Sequence, residues 1–270
     1  MPELPEVETT VAGLRPVLEG QRLSLVEPRR ADLRRPFPVD LRQRMTGAVV
    51  TSLGRRAKYG LIQTDRGDVM IFHLGMSGRW RIDPEEIEKH DHLLIETESG
   101  HRLVLNDPRR FGSLDLVRAD HLDDYKPFIS MGPEPLGDAF TAAYLKAATR
   151  ERKAPIKQLL LDQNTVAGLG NIYVCEALHM AGISPGAKGG TISKIRYERL
   201  VLAIKQVLTS AIAAGGSSLR DFVRPDGELG YFAKDWLVYG REGEPCHCGA
   251  PVLRRVDGGR STFYCSRCQK

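Results

Sequence analysis

Apolar residues Val7, Val11, Leu14 and Leu18 recur at helical spacing behind Pro5-Glu6, which predicts a short first helix with Gly20 just past its end. From Val49 to Val117 the pattern changes. VVTSL, YGLIQT, DVMIFHL, HLLIET, HRLVL and SLDLV are short β-rich runs separated by turns such as Asp65-Arg66-Gly67, and their regular spacing predicts a sandwich or barrel. Helix breakers crowd into Met131-Gly132-Pro133-Glu134-Pro135-Leu136-Gly137, which reads as a linker. Beyond it, helices are predicted over 140–149, 156–161 and 172–180. A long amphipathic helix over 194–214 runs through Ile195, Leu200, Val201, Ile204, Val207 and Leu208. After Gly215-Gly216-Ser217-Ser218 the chain reads as loops and short strands ending in a cysteine cluster, and no repeat of 20 to 50 residues occurs.

Length agrees with this β-then-α division, since 270 residues at about 150 per domain suggest two domains. A content of 41% hydrophobic and 27% charged residues excludes a disordered chain, and the absence of an 18-residue apolar run excludes a transmembrane helix. MPELPEVET is acidic and Pro-rich, unlike a signal peptide, so a cytoplasmic protein is expected. The net charge of +5 is unevenly spread: residues 1–135 carry 20 basic and 22 acidic side chains, and residues 136–270 carry 19 and 12. The cationic surplus therefore belongs to the second half, which suits a polyanionic partner.

Four of the five cysteines, Cys246, Cys248, Cys265 and Cys268, lie in the last 25 residues, and without a secretion signal they read as a metal site before they read as disulfides. Cys265-Ser-Arg-Cys268 has the C-x-x-C spacing that grips one Zn²⁺, and 16 residues separate it from Cys248, the reach of a β-hairpin. Cys246-His247-Cys248 is one residue short of the usual turn. This leaves open a distorted four-sulfur site, replacement of one sulfur by His247, or unliganded thiols. Arg254, Arg255, Arg260 and Arg267 decorate the hairpin. Cys175, alone in the helix with Ile172 and Ala177, reads as a small buried residue.

At the other end, removal of Met1 from before the small Pro2 would expose a secondary amine. An α-amine titrates near pH 8, so a useful fraction is an unprotonated nucleophile, and its attack on an acetal carbon gives an iminium. Glu3 and Glu6 stand beside it as proton shuttles. Pro-Glu-Leu-Pro-Glu is equally a plain capped helix start.

The combination of motifs decides between these readings. MPELPEVET, RRAKY at 55–59, FHLGMSG at 72–78, NDPRRFG at 106–112, GLGNIY at 168–173 and RSTFYCSRC at 260–268 together resemble the bacterial formamidopyrimidine-DNA glycosylase family, in family order and over essentially the whole chain. Leu4 and RRAKY favour it over its endonuclease VIII relatives, which prefer oxidised pyrimidines. A silent DNA-binding protein is the competing class, which retention of Met1 would favour. The resemblance implies an α+β multidomain fold: an N-terminal catalytic β-sandwich over 2–131, a helix-two-turn-helix DNA-binding domain over 132–235 and a zinc-ribbon finger over 236–270. It implies a monomer without nucleotide cofactor or membrane attachment, acting on double-stranded DNA that contains an oxidised purine. It also implies one structural Zn²⁺ held by the four cysteines.

Residue by residue, the resemblance makes Pro2 the nucleophile at C1′, Glu3 the acid that assists sugar-ring opening and Glu6 a supporting carboxylate. Lys58 serves in elimination and meets a phosphate. Met76, Arg109 and Phe111 fill the space left by a flipped nucleotide, where an apolar wedge repays lost stacking and an Arg fork bonds the orphaned base. Met76 and Phe111 by themselves would read as core residues. His90, Arg152 and Asn171 bind backbone phosphates, and Arg260 does so too while donating a proton in the second elimination. Residues 217–231 correspond to the segment that covers the extruded base. His73, His92 and His247 receive no role.

Overall fold

Pro5 sits in the first turn of α1 (Leu4–Leu18), where its missing N–H costs nothing, and Glu3 and Glu6 form a capping box across that turn. The predicted stripe of Val7, Val11, Leu14 and Leu18 is buried, and Gly20 adopts the left-handed φ of 80° that ends the helix. The computed structural model describes residues 2–217, 225, 227 and 236–270.

Next come β1 (Leu23–Pro28), α2 (Leu41–Met45), β2 (Val50–Arg56), β3 (Tyr59–Thr64), β4 (Asp68–His73), β5 (Arg79–Ile82), β6 (Asp91–Thr97), β7 (Arg102–Asn106), β8 (Ser113–Arg118) and α3 (Lys126–Ile129). The strands form two antiparallel four-stranded sheets, ordered β1-β6-β7-β5 and β2-β3-β4-β8. The expected sandwich is present. Six of its strands coincide with the apolar runs in the sequence. The other two lack such runs, because β1 buries only Leu23 and Val26 and β5 only Trp80.

The two sheets share one core, in which Val26, Trp80, Leu93 and Leu105 meet Ile62, Met70 and Phe72. Its centre depends on a glycine. Gly60 of β3 pairs with Phe72 of β4, and a Cβ at Gly60 would lie 2.0 Å from Phe72 Cζ. The bare strand accepts the ring, which then meets Trp80 of the opposite sheet edge-on at 5.5 Å.

The second half contains α4 (Ala142–Thr149), α5 (Ile156–Leu161), α6 (Asn171–Met180), α7 (Lys194–Ala213) and the hairpin β9 (Leu253–Asp257) and β10 (Arg260–Tyr264). The first of these helices begins later than its apolar pattern suggests. Thr141 takes the N-cap in extended conformation, and its Oγ1 accepts the Tyr144 N–H at 3.1 Å. The chain divides into two compact units, Met1–Ile129 with Ala214–Ala233 and Ser130–Ala213 with Lys234–Lys270, so the helices and the cysteine hairpin share a unit. No helix among the described residues is long and apolar enough to cross a membrane.

Gly60→Ala is expected to cost about 1–3 kcal/mol by overpacking the core. The measurement is a lowered urea midpoint at unchanged m-value. An unchanged midpoint would mean that Phe72 can leave its place over β3 freely.

Candidate active site and metal centre

Pro2 is buried immediately before the N-cap of α1. Glu6, itself buried, accepts the Glu3 N–H on Oε2 at 2.8 Å and the Ser217 N–H on Oε1 at 2.8 Å. Two amide donors offset the desolvation of this carboxylate and fix the first turn against residue 217. Glu6 thus positions the backbone next to Pro2 and Glu3. Of the expected base-covering segment 217–231, only Ser217, Pro225 and Gly227 fall among the described residues.

Lys58 is buried in the two-residue turn between paired Arg56 and Tyr59. Its neighbour Ala57 has φ 53°, a left-handed conformation that costs a non-glycine residue about 1–3 kcal/mol. Arg55 braces the turn: Nη1 donates to the Ala57 carbonyl at 2.9 Å, and Nε donates to Glu8 Oε2 of α1 at 2.7 Å. The helix that follows Pro2 and the turn that carries Lys58 are therefore tied through one guanidinium. His73, given no role by sequence reasoning, packs against Tyr59 with the rings tilted by 49° and their centroids 4.8 Å apart, and accepts the Gly75 N–H on Nδ1 at 3.1 Å. Burial, then the charges of Lys58, Arg34 and Arg35, push it down to about 4, so the ring is neutral at physiological pH.

Met76 lies between β4 and β5, and Arg109 and Phe111 lie between β7 and β8. Buried Asp107 joins the two loops: Oδ1 accepts the Ser77 hydroxyl at 2.6 Å and Oδ2 accepts the Gly112 N–H at 2.8 Å. The backbones then approach so closely that a Cβ at Gly75, φ 62°, would lie 2.3 Å from the Phe111 carbonyl carbon. Arg109 stands over the Phe111 ring at 4.8 Å, and its N–H donates to Ser77 Oγ at 3.3 Å. Phe111 is 45% exposed and Met76 half-buried, so these are not core residues, contrary to what their side chains alone suggest. His90 belongs to the same group, because its carbonyl accepts the Asp107 N–H at 3.0 Å. Asp107 falls within the NDPRRFG motif, ahead of Pro108 in a turn, but neither signal points to its bonds with Ser77 and Gly112.

In the second unit, Arg152 Nη1 donates to Asp162 Oδ2 at 3.0 Å and Thr165 Oγ1 at 3.1 Å, with the side chain 47% exposed. Asn171 opens α6, and its Nδ2 donates to the Ser261 carbonyl at 2.8 Å. That carbonyl follows Arg260, which is exposed at the exit of the Gly258-Gly259 turn opposite Asp257. Both glycines have positive φ, 55° and 76°, the type I′ geometry of tight hairpins. Buried Lys157 also holds this strand, donating to the Ser261 carbonyl at 3.1 Å and to Thr262 Oγ1 at 2.6 Å. Burial pushes its amine down. Asn171 is thus brought to the strand that bears Arg260, while Arg152 is engaged with Asp162 and Thr165.

The short Cys246-His247-Cys248 limb delivers both sulfurs. Gly249, φ 83°, closes it with an N–H bond to the Cys246 carbonyl at 2.8 Å. All four Sγ atoms lie within 4.8 Å of one another, with Cys246–Cys268 at 3.8 Å and Cys248–Cys265 at 3.6 Å. A tetrahedral site with Zn–S bonds of about 2.3 Å has edges of about 3.8 Å, so the spacing fits a four-thiolate metal site. His247 reaches the same edge, with Nδ1 3.4 Å from Cys246 Sγ and Nε2 3.8 Å from Cys268 Sγ. Cys175 is buried beneath the cluster with Val238, Val252 and Phe263, as its sequence setting suggests. Beside it, Glu176 accepts the N–H groups of Leu237, Val238 and Tyr239 at 2.8 to 3.0 Å. Burial raises its pKa against the pull of those amides.

Residues 1–114 match the formamidopyrimidine-DNA glycosylase N-terminal domain and residues 131–223 the formamidopyrimidine-DNA glycosylase H2TH domain. Formamidopyrimidine-DNA glycosylases of Rhizorhabdus wittichii and Sphingopyxis alaskensis are 71% and 66% identical over 270 residues, with 100% of both chains covered in each case. Among solved structures, MutM (Fpg) from Thermus thermophilus is similar at a TM-score of 0.89 and 39% identity, covering 99% of this chain and 98% of that one. A Lactococcus lactis Fpg mutant in complex with Fapy-dG containing DNA is similar at a TM-score of 0.92 and 33% identity, covering 100% of both chains. With both domain matches and relatives aligned along its whole length, the chain belongs to the formamidopyrimidine-DNA glycosylase family.

Proposed function

We propose that the protein is a bifunctional DNA glycosylase and AP lyase of base excision repair that removes 8-oxoguanine and formamidopyrimidines and nicks the strand by β,δ-elimination. The observation that carries this reading is the clamped start of α1 in a member of this family: Glu6 fixes the Glu3 amide, and Arg55 links the same helix to the Lys58 turn. The Pro2 amine, once Met1 is removed, attacks C1′ of a nucleotide flipped from the stack, and the damaged base leaves as the C1′–N bond breaks. Glu3 protonates the opening sugar ring. The resulting iminium acidifies C2′–H, whose loss expels the 3′ phosphate, and Lys58 serves this elimination. Arg260 donates the proton for the second, which expels the 5′ phosphate.

Met76, Arg109 and Phe111 fill the vacated stack, held as one group by Asp107. His90, Arg152, Asn171 and Arg260 meet backbone phosphates. The division of labour follows the sequence: 2–131 for chemistry, 132–235 for DNA binding and 236–270 as a finger, acting as a monomer in the bacterial cytoplasm. Cys246, Cys248, Cys265 and Cys268 would hold one Zn²⁺ there. Its double charge would stabilise four clustered thiolates and set the shape of the hairpin that bears Arg260.

Borohydride reduction in the presence of an 8-oxoguanine duplex is expected to give a covalent protein–DNA adduct, abolished in protein that retains Met1. No adduct, or an equal adduct with Met1 retained, would sink the Schiff-base mechanism. Lys58→Ala is expected to slow strand nicking by about 10²-fold or more, the usual contribution of a positioned acid or base. Nicking at the normal rate would remove Lys58 from the mechanism. Metal analysis is expected to find about one zinc per chain, and chelation to weaken DNA binding. A metal-free protein of full affinity would overturn the finger assignment.

A further inference from the structure

His179, in the last turn of α6, is buried, and the glycosylase reading gives it no role. Its Nε2 lies 3.3 Å from Cys246 Sγ, and its ring meets His247 edge-on at 5.4 Å. His179, Cys246, His247 and Cys268 form a second donor group that shares the Cys246–Cys268 edge with the four-cysteine group. Two arrangements are therefore possible in principle: His179 as a metal ligand, or His179 as a hydrogen-bond donor to a thiolate that is already a ligand.

The sulfur spacing and the other ring nitrogen together favour the second: four Sγ atoms with edges of 3.6 and 3.8 Å already complete a tetrahedral Zn²⁺ site without the ring. Nδ1 is buried and has no hydrogen-bond partner among the described residues. A histidine that binds metal through Nε2 carries its proton on Nδ1 and nearly always gives it to a carboxylate, carbonyl or water. Among the described residues no acceptor stands in place for that proton. With the proton on Nε2, Nδ1 presents only a lone pair, and the N–H points at a sulfur. The acceptor is also the right one, since four thiolates around one Zn²⁺ leave an excess of two negative charges, and Cys246 is one of the two buried sulfurs of the four, where an N–H donor relieves that charge.

We propose that His179 is a positioning residue for the metal centre: a neutral imidazole whose Nε2–H donates to the Cys246 thiolate and pins the one-residue-short limb to α6. This rests on the zinc reading above. α6 then holds the finger at three points along one rod, through Asn171 to the strand beside Arg260, through Glu176 to 237–239, and through His179 to the first cysteine. The bond also withdraws charge from the Cys246 sulfur while the metal is bound.

The test uses the zinc-loaded full-length protein. Long-range ¹H–¹⁵N spectra of the unmodified protein are expected to show His179 as the Nε2–H tautomer, and the cobalt-substituted protein to show four-thiolate charge-transfer bands. His179→Phe is expected to speed zinc release to a chromogenic chelator by about 10- to 100-fold without altering those bands. His179→Gln, which keeps an N–H donor, is expected to restore most of the loss. An Nδ1–H tautomer, a three-sulfur cobalt spectrum that becomes deficient in His179→Phe, or unchanged release from His179→Phe would each overturn the assignment. Protein that binds no zinc or cobalt at all would instead overturn the zinc reading.

Discussion

A chain terminus is ordinarily the least ordered part of a fold, and the nucleophile proposed there is useful only if the backbone around it is fixed. The interaction that meets this constraint is the buried Glu6 carboxylate, which takes one amide from Glu3 and another from Ser217, more than two hundred residues away in the chain. The capping box alone would order the first turn of α1 against itself. The second amide orders it against a distant segment, so the start of the chain is held by tertiary structure. Arg55 extends the frame to Lys58, and the sandwich beneath, with Phe72 laid over Gly60, keeps that frame rigid.

The same device recurs wherever a loop bears a proposed function. Asp107 joins the loops of Met76 and Phe111, and Glu176 gathers three successive amides ahead of the cysteine limb. Loops have too few apolar contacts to be fixed by burial, and their amides must be satisfied individually. A buried carboxylate does both at once, accepting several N–H groups through charge-assisted bonds. The cost is asymmetry, because losing the carboxylate strands several buried donors together.

Much of this was legible in the chain itself. Short β-rich runs between turns mark six of eight sandwich strands, helical spacing marks α1 and α7, and cysteine spacing marks the four-sulfur cluster. What escaped has a common physical origin. β1 and β5 bury too few residues to produce a pattern, and α4 starts where a threonine hydroxyl, not an apolar stripe, dictates. Asp107, Lys157, Glu176 and His179 act through bonds to distant backbone or sulfur, for which no sequence interval exists. Phe111 shows the converse: its composition suggests a core residue, while the glycines around it and its 45% exposure put it on the surface.

The Gly258-Gly259 turn gives the finger an uneven tolerance to changes in chain length. The cysteine limb is a residue short and still brings its sulfurs together, since a metal site asks only that donor atoms converge and a glycine at positive φ can take up the slack. The hairpin has no such latitude. Side chains alternate faces along β10, so one residue gained or lost in its turn would send Arg260 to the opposite side of the ribbon and misalign Ser261 and Thr262 with Asn171 and Lys157. Insertions and deletions during divergence are therefore expected to accumulate in the knuckle and to be purged from the turn.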